Sequence, residues 1–198
     1  MGLFDWLKRK PQEVPDEDQW QKIWDARLAM LEAELGKSDD NIATSLIPIY
    51  LGGGADVLTF NHHIDGPVYV TAGLIGDGSQ KRTKLGQYEL AICLREPDDW
   101  APTILSQLAP YTFEAALKHG ETMDVAPAMP DGSSIAAFLF QDFAHLTFNG
   151  KKAGLLLCLG ITAEELEACR AGESTEVVTA LKDQGIYPFT EVRRASVV

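Results

Sequence analysis

The group in this sequence that most resembles catalytic equipment is His62-His63 followed by Asp65. Imidazole and carboxylate side chains ligate divalent metals and exchange protons near neutral pH. Adjacent residues on a strand point to opposite faces, so two neighbouring histidines do not readily share one ion. A metal site would have to draw further ligands from afar, with His145 or Asp142 as candidates. No H-E-x-x-H run and no close cysteine pair supports one. A metal-assisted hydrolase built on His62, His63, Asp65 or His145 is thus the enzyme alternative. A polar strand edge is the plainer reading, and no metal or other cofactor is expected.

Other chemistries find less support. No G-x-S-x-G elbow announces a serine nucleophile. Cys93 and Cys158 sit inside apolar runs, where a thiol packs as a small core residue. The three cysteines, with Cys169, show no C-x-x-C spacing and fit a reducing compartment. The paired acids Asp98-Asp99 and Glu164-Glu165 stand at predicted helix starts, where they complement the helix dipole. Gly52-Gly53-Gly54 lacks both phosphate-loop patterns and reads as a flexible turn.

Two further acids suit binding better than catalysis. Glu121 follows a helix-ending glycine, and Asp142 follows an apolar strand. Carboxylates at neighbouring element ends can receive a cationic or histidine side chain from a partner. Whether the fold makes them neighbours is not written in the sequence.

The composition narrows the partners. The 198 residues carry a formal net charge of -12, so a nucleic-acid backbone is repelled and a basic protein attracted. A hydrophobic content of 45% suits one folded domain with an appendage. No apolar run reaches membrane-span length, and the cytoplasm is the expected location. Residues 1–15 read as a flexible head with Phe4, Trp6 and Leu7 beside Lys8-Arg9-Lys10. That patch makes a peripheral membrane adaptor the second alternative, weaker than simple packing or fraying.

The elements that must position these groups follow from periodicity. Residues 16–41 contain an amphipathic helix over 17–35, with Trp20, Ile23, Trp24, Leu28, Leu31 and Leu35 as its apolar stripe. The two tryptophans are expected in the core. Strands are predicted over 57–64, 68–72 and 88–94, with Asp65-Gly66-Pro67 as a turn. Asp99 is expected to cap a helix that Pro110 divides, the second piece running from Tyr111 to His119. Strands then span 134–140 and 143–148. A hairpin turn at Asn149-Gly150 leads into a central strand over 154–159. Thr162 to Glu165 fits a capping box, and helices reach about 171 and from 174 to 184. Residues 190–198 form a tail able to pair as a strand.

Four blocks in this order resemble the suppressor-of-fused family. They are Tyr88-Glu89-Leu90 with Trp100; Leu108 to Phe113 with Gly120-Glu121; Gly160 to Leu166; and Thr190 to Ser196. The resemblance covers roughly residues 57–198, and the domain is drawn as 42–198. It implies an α/β (α+β) fold with a mixed, mainly antiparallel sheet and packed helices, without enzymatic activity. The animal members clamp a peptide by strand addition and grip a histidine of it. On that pattern Tyr111, Glu121 and Asp142 fall at partner-gripping positions, with Gln141 where the family has an acid. The chain resembles a stand-alone bacterial-type member, a group proposed to include immunity proteins against toxins. A protein partner, basic or a toxin, is therefore expected.

Overall fold

A computed structural model describes residues 17–198 of the chain. The head over 1–15, with the membrane contact suggested for Phe4, Trp6 and Lys8–Lys10, lies outside the described residues.

Six strands form one sheet: β1 (Val57–Ile64), β2 (Gly66–Thr71), β3 (Gln87–Cys93), β4 (Thr122–Asp124), β5 (Ile135–Phe148) and β6 (Lys151–Thr162). Their order across the sheet is β1-β2-β3-β6-β5-β4. Every neighbouring pair is antiparallel except β3 and β6. The apolar run on β6 is buried from Ala153 to Thr162, as a central strand covered on both faces requires. Asn149 and Gly150 take φ values of 49° and 72°, the left-handed pair that a two-residue hairpin needs.

Helices cover both faces. The helix α1 (Glu17–Leu35) brings Leu31 and Leu35 onto one face with Leu58, Phe60, Leu139 and Leu157. The pair α3 (Ala163–Arg170) and α4 (Ser174–Asp183) completes that core through Leu166, Val177 and Leu181. On the other face α2 (Trp100–Leu108) packs Ile104 and Leu105 against Tyr88, Phe138 and Phe140. Each such side chain contributes about 1.5–3 kcal/mol on burial. The Thr162/Glu165 capping box opens α3 as the spacing predicts.

Several elements depart from expectation. The strands predicted over 134–140 and 143–148 are one strand, β5, with an irregular step between Asp142 and Ala144 that lets it bend without ending. The helix predicted from Tyr111 to His119 is only a 3₁₀ turn over Ala109–Phe113. Asp99 stands at the start of α2, yet its side chain caps nothing. Asp98 Oδ1 instead accepts the Trp100 N–H at 3.4 Å. Two of the three glycines in the triplet are closely packed: a Cβ would lie 1.7 Å from Ile47 O on Gly53 and 2.2 Å from Ser106 Oγ on Gly54. The C-terminal tail forms no strand. It is clamped by Arg194, whose Nη1 and Nη2 donate to both oxygens of buried Glu165 at 2.5 and 2.6 Å.

Candidate functional site

The candidate site lies where β4 stops covering β5. Only Ala137 to Leu139 pair with β4. One more rung follows, in which Gly120 N–H donates to Phe140 O at 2.8 Å and Phe140 N–H donates to Glu121 O at 2.9 Å. Beyond it, among the described residues, no strand pairs with the outer edge of β5 from Phe143 to Phe148. Such an edge carries backbone donors and acceptors without ladder partners.

Glu121 and Asp142 flank the point where the edge opens. Main-chain pairing sets Glu121 opposite Phe140, two residues before Asp142. Lys118 lies beside Glu121, whose carboxylate accepts its N–H at 3.0 Å and its Nζ at 3.3 Å. On the other side His119 Nδ1 accepts the Asp142 N–H at 3.0 Å and lies 3.9 Å from Asp142 Oδ1. The site is thus two carboxylates, Glu121 with Lys118 against it and Asp142 with His119 against it. Glu121 is exposed and Asp142 half-buried.

Tyr88 positions this segment from below. Its buried hydroxyl accepts the Leu117 N–H at 2.9 Å. Burial pushes its pKa up to about 12, so the phenol stays neutral. Tyr111 is 43% exposed on the 3₁₀ turn that leads into the same segment. Among the described residues no hydrogen bond joins it to Glu121 or Asp142. The rung at Phe140 brings Glu121 near Asp142, and Tyr111 lies on the turn that precedes Glu121 in the chain. Gln141 is buried with its amide donating to Phe140 O at 2.9 Å, and it adds no charge.

The histidine pair is split, as strand geometry requires. His63 packs edge-on against Phe143, ring centroids 5.9 Å apart. His62 faces a small polar hollow lined by Lys37, Ser38, Asp39 and Asp40. His145 stands exposed on β5. No three His, Cys, Asp or Glu side chains lie close enough to hold a metal among the described residues. The three cysteines are free and buried, and burial pushes the thiols of Cys93 and Cys158 far up, away from the reactive thiolate.

Sequence reasoning misses two buried ion pairs and His119. Arg27 and Glu89 are 7% and 0% exposed, with Nε 3.5 Å from Oε1. Each has a signal. Arg27 falls on the apolar stripe of α1, four residues from both Ile23 and Leu31, and Glu89 interrupts an apolar strand. Glu165, expected to complement the helix dipole, also holds the tail through Arg194. His119 leaves no sequence signal, because its partner is 23 residues away.

Known proteins share this architecture. The family model described as "Suppressor of fused protein (SUFU)" matches residues 55–195. No curated protein sequence matches. A suppressor of fused homologue from Neisseria gonorrhoeae FA 1090 superposes with a TM-score of 0.67 at 19% identity, covering 90% of this chain and 98% of that one. A chain of the Sufu–Fu complex superposes with a TM-score of 0.69 at 17% identity, covering 89% and 91%. Drosophila Suppressor of Fused gives 0.63 at 17% identity over 86% of this chain and 49% of that one. The chain therefore spans about half of the Drosophila protein, and these likenesses speak for the α+β fold.

Proposed function

We propose that this chain, which belongs to the suppressor of fused family over residues 55–195, is a non-enzymatic binding module that sequesters a segment of another protein. The observation that carries this reading is the open edge of β5 beside Glu121 and Asp142. An extended segment adding there would gain main-chain hydrogen bonds, and the flanking side chains would choose its sequence. The two carboxylates favour a basic or histidine residue at that point. Tyr111, exposed on the adjoining turn, would offer apolar area and a hydroxyl.

The related Sufu–Fu complex supports the reading, since that structure holds one protein bound to another. The net charge of -12 suits a basic partner, and a toxin domain neutralised by an immunity protein fits that description. Free, buried thiols suit the reducing cytoplasm. No helix among the described residues is long and apolar enough to cross a membrane. The domain is drawn as residues 42–198, with α1 preceding it and lending Leu31 and Leu35 to its core.

Affinity capture from the native cell tests this. A stoichiometric protein retained by the wild-type chain and lost with Glu121→Lys/Asp142→Lys is expected. Retention of that protein by the folded double variant would refute the site.

A further inference from the structure

A second surface, remote in sequence from Glu121 and Asp142, has the features of a docking ridge. Among the described residues, four of the seven exposed large apolar side chains are Ile42, Leu46, Ile47 and Leu51 on one loop. Leu46 is 102% exposed, Leu51 64% and Ile47 57%. The loop is braced. Ser45 N–H donates to Asp56 Oδ1 at 3.0 Å, Ser45 Oγ donates to Ile47 O at 2.8 Å, and Gly54 N–H donates to Ser45 Oγ at 3.1 Å. Gly53 N–H closes it on Pro48 O at 3.1 Å, with no room for a Cβ. Held apolar tips on a braced loop call for a partner surface.

Two clefts adjoin this loop; Thr44, Ser45 and Gly54 line both, and Leu46 and Ile47 line the second. The first cleft, about 390 Å³, is walled by Trp20 and Trp24, stacked 5.7 Å apart. The expectation that both tryptophans lie in the core fails here, since Trp20 is 43% exposed. The second, about 750 Å³, runs to Pro102 and Pro110, one residue from exposed Tyr111. Among the described residues, the sole basic one lining either cleft, Arg27, is engaged with Glu89. Asp56 lines the first cleft and Asp99 the second, and Glu96 and Asp98 stand exposed beside Asp99.

We infer that this ridge and its clefts receive an apolar protein segment flanked by lysine or arginine residues. The apolar tips and tryptophans supply the contact area, and the acidic rim sets the sign of the flanking charges. A second copy of the chain brings the same negative sign to the rim, and an anionic lipid surface is repelled in the same way. This docking surface is additional to the β5 edge.

The probe is a synthetic amphipathic Leu/Lys helix titrated against the full chain, read by intrinsic tryptophan fluorescence and calorimetry. Binding is expected, absent for the matching Leu/Glu helix. Leu46→Ser/Leu51→Ser should weaken it about tenfold or more, while Glu121→Lys/Asp142→Lys leaves it unchanged. Both serines replace exposed residues, and an unchanged urea midpoint verifies the variant's fold. Equal binding by the Leu/Glu helix, or by Leu46→Ser/Leu51→Ser, overturns the inference. Loss of binding in Glu121→Lys/Asp142→Lys assigns the helix to the β5 edge and overturns it too. Self-association abolished by Leu46→Ser/Leu51→Ser would make the occupant a second copy. Partition of the chain into phosphatidylcholine vesicles through the same residues would make it lipid. Tighter binding in Phe4→Ser/Trp6→Ser would make it the chain's own head. Each of these three would replace the proposed partner.

Discussion

The guanidinium of Arg27 on α1 lies 3.5 Å from the carboxylate of Glu89 on β3, and both residues are buried. Arg27 also donates to Ile75 O and Ala72 O, at 2.7 and 2.9 Å. Glu89 accepts from Thr71 Oγ1 at 2.6 Å and from the N–H groups of Leu74 and Ile75 at 2.9 and 2.8 Å. The pair thus ties α1, the 72–76 turn and β3 at one point. Burial raises the pKa of Glu89, and the Arg27 charge and these donors oppose that rise.

Breaking this pair from one side strands a buried charge. Arg27→Met is expected to cost about 3–5 kcal/mol, read as a lower urea midpoint. Glu89→Gln should also destabilise, and Arg27→Met/Glu89→Gln should cost less than the sum of the two. Additive losses would mean that the two groups do not interact.

The tail clamp should be sensitive to acid. Burial opposes ionisation of Glu165, but hydrogen bonds from Arg194, Thr162 N–H and Val197 N–H, with the Arg194 charge, hold its pKa below the ordinary value. A depressed carboxyl pKa contributes stability above the unfolded-state value, about 4.3, and loses it as pH falls through the folded value. The stability gap between wild type and Glu165→Gln should therefore be widest near neutrality and narrow below about pH 4. A gap that stays constant between pH 7 and pH 3 in urea titrations would contradict the assignment.

Two glycines with positive φ separate backbone strain from crowding. Gly150 at φ 72° has open space where a methyl group would sit, whereas Gly86 at φ 89° would set a Cβ 2.0 Å from Lys152 O. Gly150→Ala should cost about 1–2 kcal/mol. Gly86→Ala should cost about 1–3 kcal/mol more, because backbone must shift as well. Equal thermal shifts would refute the packing argument.

At the β5 edge, Glu121→Gln and Asp142→Asn keep shape and remove charge. Both should change stability by no more than about 0.5 kcal/mol, as surface substitutions do. With the captured partner, the association rate should fall and depend less on salt, by stopped-flow measurement. An unchanged rate would separate these carboxylates from recognition.

Some of this was legible in one dimension. Periodicity located α1, β1, β3 and β6, and the Asn149-Gly150 turn and the Thr162/Glu165 box were readable because their partners lie a few residues away. Long-range choices were not. Whether 134–148 is one strand or two depends on whether β6 continues beside it, and β6 does. The 111–119 segment is not an α-helix, and its Leu117 N–H goes instead to the hydroxyl of Tyr88, 29 residues away.

The sequence alone determined the charge, the apolar faces and the local caps, since these depend on residue type and short spacing. Tertiary structure alone decided that Glu121 is brought near Asp142, that β4 pairs with only part of the outer edge of β5, and that Arg27 and Arg194 find buried carboxylates. The reason is physical: a hydrogen bond or ion pair acts over a few ångströms in space, and the chain brings such groups together only when strands far apart in sequence are laid side by side.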